Sequence, residues 1–369
     1  MPREPVPAPS LEAAELIDER PDEHLDTTRL EPYLQQRLAK ELEGSAGPLS
    51  VRQFGGGKAN LSYLVCFADR EFVLRRPPLG PIPPGAHDMR REHRVLSVLH
   101  RCFPPAPRSL LLCEDETIIG AVFVVHERRR GFVIRDDIPP EFAGRRELNR
   151  RIGFALVDAL ADLHLVPPAE IGLDDLGRAE GYLERQLSGW VRRWQAAQGG
   201  EQADRAAADM QPVLDWLGRN LPATGGAALL HNDYRLDNCL LDPADPGRIE
   251  AVLDWDMCTQ GDPLADLGYV LNYWVQPDDN PEWREIAAMP TWREGFPSRA
   301  EAIGRYAART GFDVASIGWH QVFAAFKLAV IIQQIYIRFV RGQTQDQRFR
   351  YYYRRVLGLA AKARLLARV

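Results

Sequence analysis

Two carboxylates and an amide, held at fixed offsets around a short hairpin, constrain this chain more than any other feature. They lie in Leu230-His231-Asn232-Asp233-Tyr234-Arg235-Leu236-Asp237-Asn238-Cys239-Leu240-Leu241 and, further on, Val252-Leu253-Asp254-Trp255-Asp256. Asp233 and Asn238 share one loop. The apolar pair Leu240-Leu241 reads as a short strand. The turn residues Asp242-Pro243-Ala244-Asp245-Pro246-Gly247 follow, and a second strand from Ile249 to Leu253 delivers Asp254 at its end. Such a hairpin is expected to return Asp254 beside Asn238 and Asp233. Carboxylate and amide oxygens are hard ligands that suit Mg²⁺. With one carboxylate left to accept a hydroxyl proton, the set fits phosphoryl transfer. Taken singly, Asp233 or Asp254 reads as a solvated loop carboxylate; the spaced set as a whole does not.

Upstream, residues 1–26 are rich in Pro and acidic residues and read as a flexible arm. Leu30, Leu34, Leu38 and Leu42 then recur at helical spacing, with Thr27 or Thr28 as N-cap. Strands are expected at Val51 to Phe54, Leu61 to Phe67 and Glu71 to Arg76. Between the first two, Gly55-Gly56-Gly57-Lys58-Ala59-Asn60 forms a turn. Glycines let backbone N–H groups approach phosphates without side chains in the way, although such a turn is as often only a turn. Pro77 to Pro84 reads as a mobile loop, Asp88 to His100 as a helix, and Ser109 to Cys113 and Ala121 to His126 as two more strands. Beyond residue 128 the period becomes helical. Ile152, Leu156, Ala159 or Leu160, and Leu163 share a face, and further helices are expected around Tyr182 to Trp190, Met210 to Leu217 and Asp266 to Trp274. Three more follow, at Ser298 to Thr310, Asp313 to Val340 and Gln345 to Ala367. Trp283 and Trp292, in the loop-like 278–297 segment, are candidates to line a pocket.

The pattern His231-x-Asp233-x-x-x-x-Asn238, the hairpin, and Asp254-Trp255-Asp256 where protein kinases carry Asp-Phe-Gly resemble the catalytic core of the protein-kinase-like fold. The tail Gly261-Asp262-Pro263-Leu264-Ala265-Asp266-Leu267 is similar to the aminoglycoside phosphotransferase (APH)/choline kinase branch. Within that branch the chain resembles phosphotransferases related to the kinase domains fused to some acyl-CoA dehydrogenases. The resemblance implies an α+β, bilobal fold: an N-lobe of antiparallel sheet plus helix at 27–127, and a larger, mainly helical C-lobe at 128–369. It implies ATP and Mg²⁺ as cofactors and a small-molecule hydroxyl acceptor. Asp233 is then the base, Arg235 touches the base or the γ-phosphate, and Asn238 and Asp254 hold metal, with Asp256 as ligand or support. Gly55, Gly56, Gly57, Lys58 and Arg75 meet the phosphates, and Glu92 pairs with Arg75. Glu127 and Arg128 belong to the hinge whose backbone meets adenine. His231 and Asp262 brace the catalytic loop, and Asp266 anchors the helix after it. His164 reads as a structural hydrogen-bonder.

Arg75 departs from the pattern, because the equivalent strand of kinases carries Lys; Arg keeps the charge but is forked and bulkier. The departure supports the alternative that the chain is an inactive nucleotide-binding module of the same fold, while the intact Asp233, Asn238 and Asp254 argue against it. A protein kinase is the weakest reading, since no Ala-Pro-Glu element follows. Composition closes other routes. A net charge of −5 over 369 residues carries no nucleic-acid footprint. The apolar run from Leu328 to Val340 is interrupted by Gln333, Gln334 and Arg338, so no membrane span is expected. Five scattered cysteines with no C-x-x-C pair point to a reducing cytoplasm. The acidic and basic residues of 275–320 are too evenly balanced to favour a polycationic acceptor, and the subgroup resemblance implies a hydroxyacyl compound instead.

Overall fold

The computed structural model describes residues 15–45, 47–56, 60–80, 87–199 and 201–369, with backbone alone at 201–204. The chain divides into two units that no single cut separates: Met1–Val133 with Asn238–Cys258, and Ile134–Asp237 with Thr259–Val369. The first is an antiparallel sheet with helices and the second is mainly helical, which makes the class α+β.

The sheet contains β1 (Leu16–Ile17), β2 (Leu49–Phe54), β3 (Leu61–Phe67), β4 (Arg70–Arg76), β5 (Ser109–Cys113) and β6 (Phe123–Glu127), in the order β1-β2-β3-β4-β6-β5. Side chains alternate along each strand, so each face carries every second residue. Phe72 and Leu74 of β4 point to a core shared with Leu30, Leu34, Leu38 and Leu42 of α1 (Thr27–Arg37), α2 (Ala39–Leu42) and the residue between them. Arg75 therefore points to the opposite face, where α3 (Met89–Leu99) lies. The hairpin β8 (Cys239–Leu241) and β9 (Ile249–Val252) belongs to this unit although it is distant in sequence. Its anchors are the bridge between Phe132 and Leu241, the Val252 N–H donated to Pro105 O at 2.8 Å, and the buried Trp255 ring edge-on to Phe103.

Two expectations change here. Helix α1 is capped by Asp26, whose carboxylate accepts the Thr28 N–H, so Thr27 and Thr28 lie inside the helix. Residues 15–26 are not a loose arm, whereas 1–14 lie outside the described residues. Leu16 and Ile17 pair with Phe54 and Gln53, covering the sheet edge, and Leu25 is fully buried. The physical reason is unpaired polarity on the core face. Tyr63 Oη and Arg76 Nη2 are buried and need an acceptor, and both donate to Glu23 O, at 2.6 Å and 3.0 Å.

The helical unit contains α4 (Arg146–His164), α5 (Tyr182–Ala196), α6 (Glu201–Arg219), α7 (Leu264–Tyr273), α8 (Arg299–Thr310), α9 (Ile317–Val340) and α10 (Tyr352–Ala367). A small ribbon pairs β7 (Ala228–Leu230) with β10 (Thr259–Gly261). Helix α9 is longer than its C-terminal apolar run, and by length and composition it could cross a membrane. Two thirds of its most apolar stretch is buried, and it packs against α7 and α10, as the central helix of the unit.

Candidate active site

In the sheet unit, charge converges on one guanidinium. Arg75 Nη1 is 2.9 Å from Glu92 Oε1, and Arg75 Nη2 is 2.6 Å from Asp254 Oδ1. The Arg75–Glu92 pair expected from the sequence is therefore present, and the same arginine also holds Asp254. Asp88 caps α3 through the Arg91 N–H, and this fixes where Glu92 falls one turn along. Glu92 is fully buried and also meets His126 Nε2 at 3.2 Å. Burial works against the charge on Arg75, yet Glu92 and Asp254 hold its pKa above the ordinary arginine value.

The hairpin places Asn238 beside the strand end that carries Asp254. Cys239 is opposite Val252, and the Leu253 N–H donates to Asn238 O at 2.8 Å. Asp254 sits at φ 70°, a left-handed conformation that is costly for a residue with a side chain and typical of functional strand ends. Asp256 adds a second carboxylate. Burial, then the charges of Asp254 and Glu92, push its carboxyl up to about 7, while Arg75 and the Asn60 hydrogen bond oppose the shift. Asn60 Nδ2 is 3.3 Å from Asp256 Oδ2 and 3.4 Å from Asp254 Oδ1. His87, at φ 56°, meets Asn60 Oδ1 at 2.8 Å. Sequence reasoning passed over Asn60 and His87. Their only signal was position, one at the end of the glycine turn and one directly before the cap of α3.

The phosphate loop is described in part. Gly57 and Lys58 lie outside the described residues, as do 81–86 of the proline-rich loop. The Gly55 N–H is already donated to Glu15 O at 2.9 Å, and Gly55 O accepts from Arg20. Gly56 follows in the turn. Glu127 accepts from the Arg108 N–H and from Arg129 Nε, and its own N–H donates to Arg108 O. The Arg128 guanidinium lies 4.9 Å from the centre of the Phe54 ring.

In the helical unit, the loop after β7 carries His231, Asn232, Asp233 and Arg235. The Asp266 carboxylate accepts the backbone N–H of His231 at 2.6 Å and of Asn232 at 2.9 Å. Asn232 is held at φ 67°. Asp266 also meets His164 Nε2 at 3.4 Å, and His164 Nδ1 lies 2.6 Å from Tyr306 Oη. Burial disfavours the Asp266 charge, but the hydrogen bond and charge of His164, with His231, hold its carboxyl below the usual range. The expected roles are thus exchanged. Asp266 braces the catalytic loop, while Asp262 accepts the N–H of Leu264, the first residue of α7, and also the Gly225 N–H.

Asp233 Oδ1 accepts from Tyr269 Oη at 3.2 Å and lies 3.6 Å from Arg235 Nε. Arg235 Nε is nearer to Asp237 Oδ1, at 2.8 Å, and its guanidinium sits 5.6 Å from the centre of the Tyr273 ring. Lys327 of α9 donates to Asn232 O at 3.4 Å and lies over the Tyr269 and Trp190 rings, 4.6 Å and 5.6 Å from their centres. Burial lowers the Lys327 pKa. Trp283, expected as a pocket residue, is buried beneath Lys362, whose Nζ is 4.8 Å from its ring centre.

The chain is similar to several known proteins. "Acyl-CoA dehydrogenase family member 11" of Gallus gallus is 33% identical over 93% of this chain, which spans 44% of that protein. The chain spans less than half the length of the curated relatives it matches. Among solved structures, a candidate aminoglycoside phosphotransferase of Ralstonia eutropha aligns over 94% of this chain and 99% of its own, with TM-score 0.77 and 29% identity. Choline kinase from Cryptosporidium parvum aligns over 92% of this chain and 96% of its own, with TM-score 0.62 and 12% identity. The aminoglycoside phosphotransferase APH(4)-Ia, in ternary complex with AMP-PNP and hygromycin B, aligns over 90% and 98%, with TM-score 0.55 and 18% identity. The latter two likenesses speak to the fold. Residues 50–312 match the APH family profile, a span that runs from the first long strand of the sheet through the Asp233 loop and the Asp254 hairpin, so this chain belongs to the phosphotransferase enzyme family.

Proposed function

We propose that this kinase-type phosphotransferase moves the γ-phosphate of ATP, with Mg²⁺, to a hydroxyl of a small acyl-bearing molecule. The observation that carries the reading is the Arg75–Glu92 pair. The inactive-module alternative rested on Arg standing where kinases carry Lys. Arg75 nonetheless keeps the carboxylate partner that the kinase cation has, so the departure no longer favours inactivity.

The donor set suits Mg²⁺. Among the described residues, no three His, Cys, Asp or Glu side chains gather into a cage. Mg²⁺ needs none, because it usually takes one or two protein oxygens and completes its shell with water and substrate phosphate. Asp254 and Asn238 supply such oxygens. Bound with the nucleotide, Mg²⁺ would neutralise phosphate oxygens. Arg75 adds a forked cation for phosphate, and Asp233 orients the acceptor hydroxyl and takes its proton.

Acceptor class follows from the groups around Asp233. Arg235 and Lys327 flank it, with Trp190, Tyr269 and Tyr273. Two cations beside the base oppose the amines of an aminoglycoside, whereas cations with aromatic walls suit an anionic or acyl group. Relatives named as acyl-CoA dehydrogenase family members support an acyl-type acceptor. The test offers ATP labelled at the γ-phosphate to a hydroxyacyl-CoA panel and to an aminoglycoside panel. Transfer to the first, lost in Asp233→Asn, is expected. Transfer only to the second would overturn the acceptor assignment, and transfer to neither would overturn the reaction.

A further inference from the structure

Helix α7 presents a stripe of three polar side chains to the catalytic loop. Asp266, Tyr269 and Tyr273 are spaced three and four residues apart, which places them on one helix face. Each meets the loop differently. Asp266 accepts two backbone N–H groups, Tyr269 donates to the Asp233 carboxylate, and Tyr273 lies under the Arg235 guanidinium. The Tyr269 and Tyr273 hydroxyls are 3.1 Å apart. A phenol carries one proton. Since that of Tyr269 goes to Asp233 Oδ1, Tyr269 Oη accepts from Tyr273, and the pair forms a directed chain ending on the carboxylate.

We propose that Tyr269, backed by Tyr273, is the positioning residue for Asp233, fixing the plane of its carboxylate toward the acceptor hydroxyl. The inference deepens the phosphotransfer reading and rests on it. A carboxylate turns easily about its last torsion, which is broad and shallow. A directed hydrogen bond from Tyr269 to Oδ1 restricts that torsion. Both phenols are buried, and burial raises the Tyr269 pKa well above its ordinary value and that of Tyr273 to about 12, so each remains a neutral donor across the working range. Lys327 Nζ lies 4.6 Å from the centre of the Tyr269 ring and helps to hold the ring in place. The same lysine holds Asn232 O, so the strained residue before Asp233 is tied at its carbonyl while Asp266 ties its amide. Helix α7 is seated closely enough to set these distances. A Cβ on Gly268 would lie 2.7 Å from His320 Cβ of α9.

The test is a double-mutant cycle of Tyr269→Phe, Asp233→Ala and the pair, read on turnover and on the thermal midpoint. Phe keeps the ring and its packing under Lys327. Tyr269→Phe is expected to lower kcat roughly 10- to 100-fold, the scale of a small misplacement, with KM for ATP unchanged. In the Asp233→Ala background it is expected to lower kcat no further. Losses that multiply, or a loss confined to KM, would overturn the proposal. Tyr273→Phe is expected to give a smaller loss of the same kind. If the wild-type protein phosphorylates no acceptor, the phosphotransfer reading fails, and the pair is judged on midpoints alone. Tyr269→Phe should then lower the midpoint in the wild-type background but not beside Asp233→Ala. Equal lowering in both would overturn the contact itself.

Discussion

Arg75 Nη2 stands 2.6 Å from Asp254 Oδ1 while Nη1 of the same guanidinium stands 2.9 Å from Glu92 Oε1. One planar fork thus ties a fully buried helix carboxylate to the strand-end carboxylate that the family pattern assigns to metal. Lysine keeps the charge but lacks this fixed planar fork.

Loss of that fork should be costly. Arg75→Met leaves the buried Glu92, among the described residues, with His126 as its remaining ion-pair partner, and removing one partner of a buried pair costs about 3–5 kcal/mol. Arg75→Lys should cost less, because it keeps the charge and one contact. Denaturant unfolding of the two variants checks the order. A methionine variant as stable as wild type would show that the bridge contributes nothing to the fold.

Lys362 gives the chain a pH dependence far from the family motifs. It is buried on α10 and donates to Asn272 O at 2.5 Å near the end of α7. Burial, then the charge of Arg299, lowers its pKa to about 7. The folded state therefore gives up this proton near pH 7, whereas an unfolded lysine keeps it to about pH 10.4. Between those limits the unfolded state binds more protons, so stability rises with pH across the window. Lys362→Met should remove that rise, with its largest relative gain at pH 6–7, bounded at about 5 kcal/mol by the size of the shift. Unfolding midpoints at pH 6.5 and pH 9 provide the measurement; parallel wild-type and variant curves would sink the assignment.

Close approach of α7 to α9 makes Gly268 a sensitive position. In Gly268→Ala the new methyl would meet His320 Cβ at 2.7 Å and the His320 backbone carbon at 2.8 Å. Overpacking of this kind costs about 1–3 kcal/mol. It should also lower turnover more than stability alone explains, since α7 carries both Asp266 and Tyr269. Comparing kcat well below the unfolding midpoint tests this, and an unchanged kcat would separate helix seating from catalysis.

What the sequence revealed was local or periodic. The Asp233, Asn238 and Asp254 offsets could be read because a loop and hairpin fix them within a few residues. The pairing of Arg75 with Glu92 was legible only through the resemblance to the kinase-like fold, whose third strand and following helix carry a paired cation and carboxylate. Contacts made across long separations stayed hidden. Tyr269 and Tyr273 sit in a mostly apolar helix, where a tyrosine reads as core. Lys327 lies 95 residues from the carbonyl it holds. The exchange of roles between Asp262 and Asp266 was also out of reach, because both spacings suit a helix start, and only the loop folded back against α7 shows which carboxylate meets which amides. The packing of residues 15–26 depended on Tyr63 and Arg76 seeking an acceptor, and composition does not report this.

The central claim is that this chain performs phosphoryl transfer with Asp233 receiving the acceptor proton. Single-turnover transfer from γ-labelled ATP with Mg²⁺ to a hydroxyacyl-CoA, wild type against Asp233→Asn, tests it most directly. The account predicts transfer by the wild-type protein and a fall of roughly 10²- to 10⁴-fold in the variant, the range for loss of a general base, with ATP still bound. Equal transfer rates in the two proteins would contradict it.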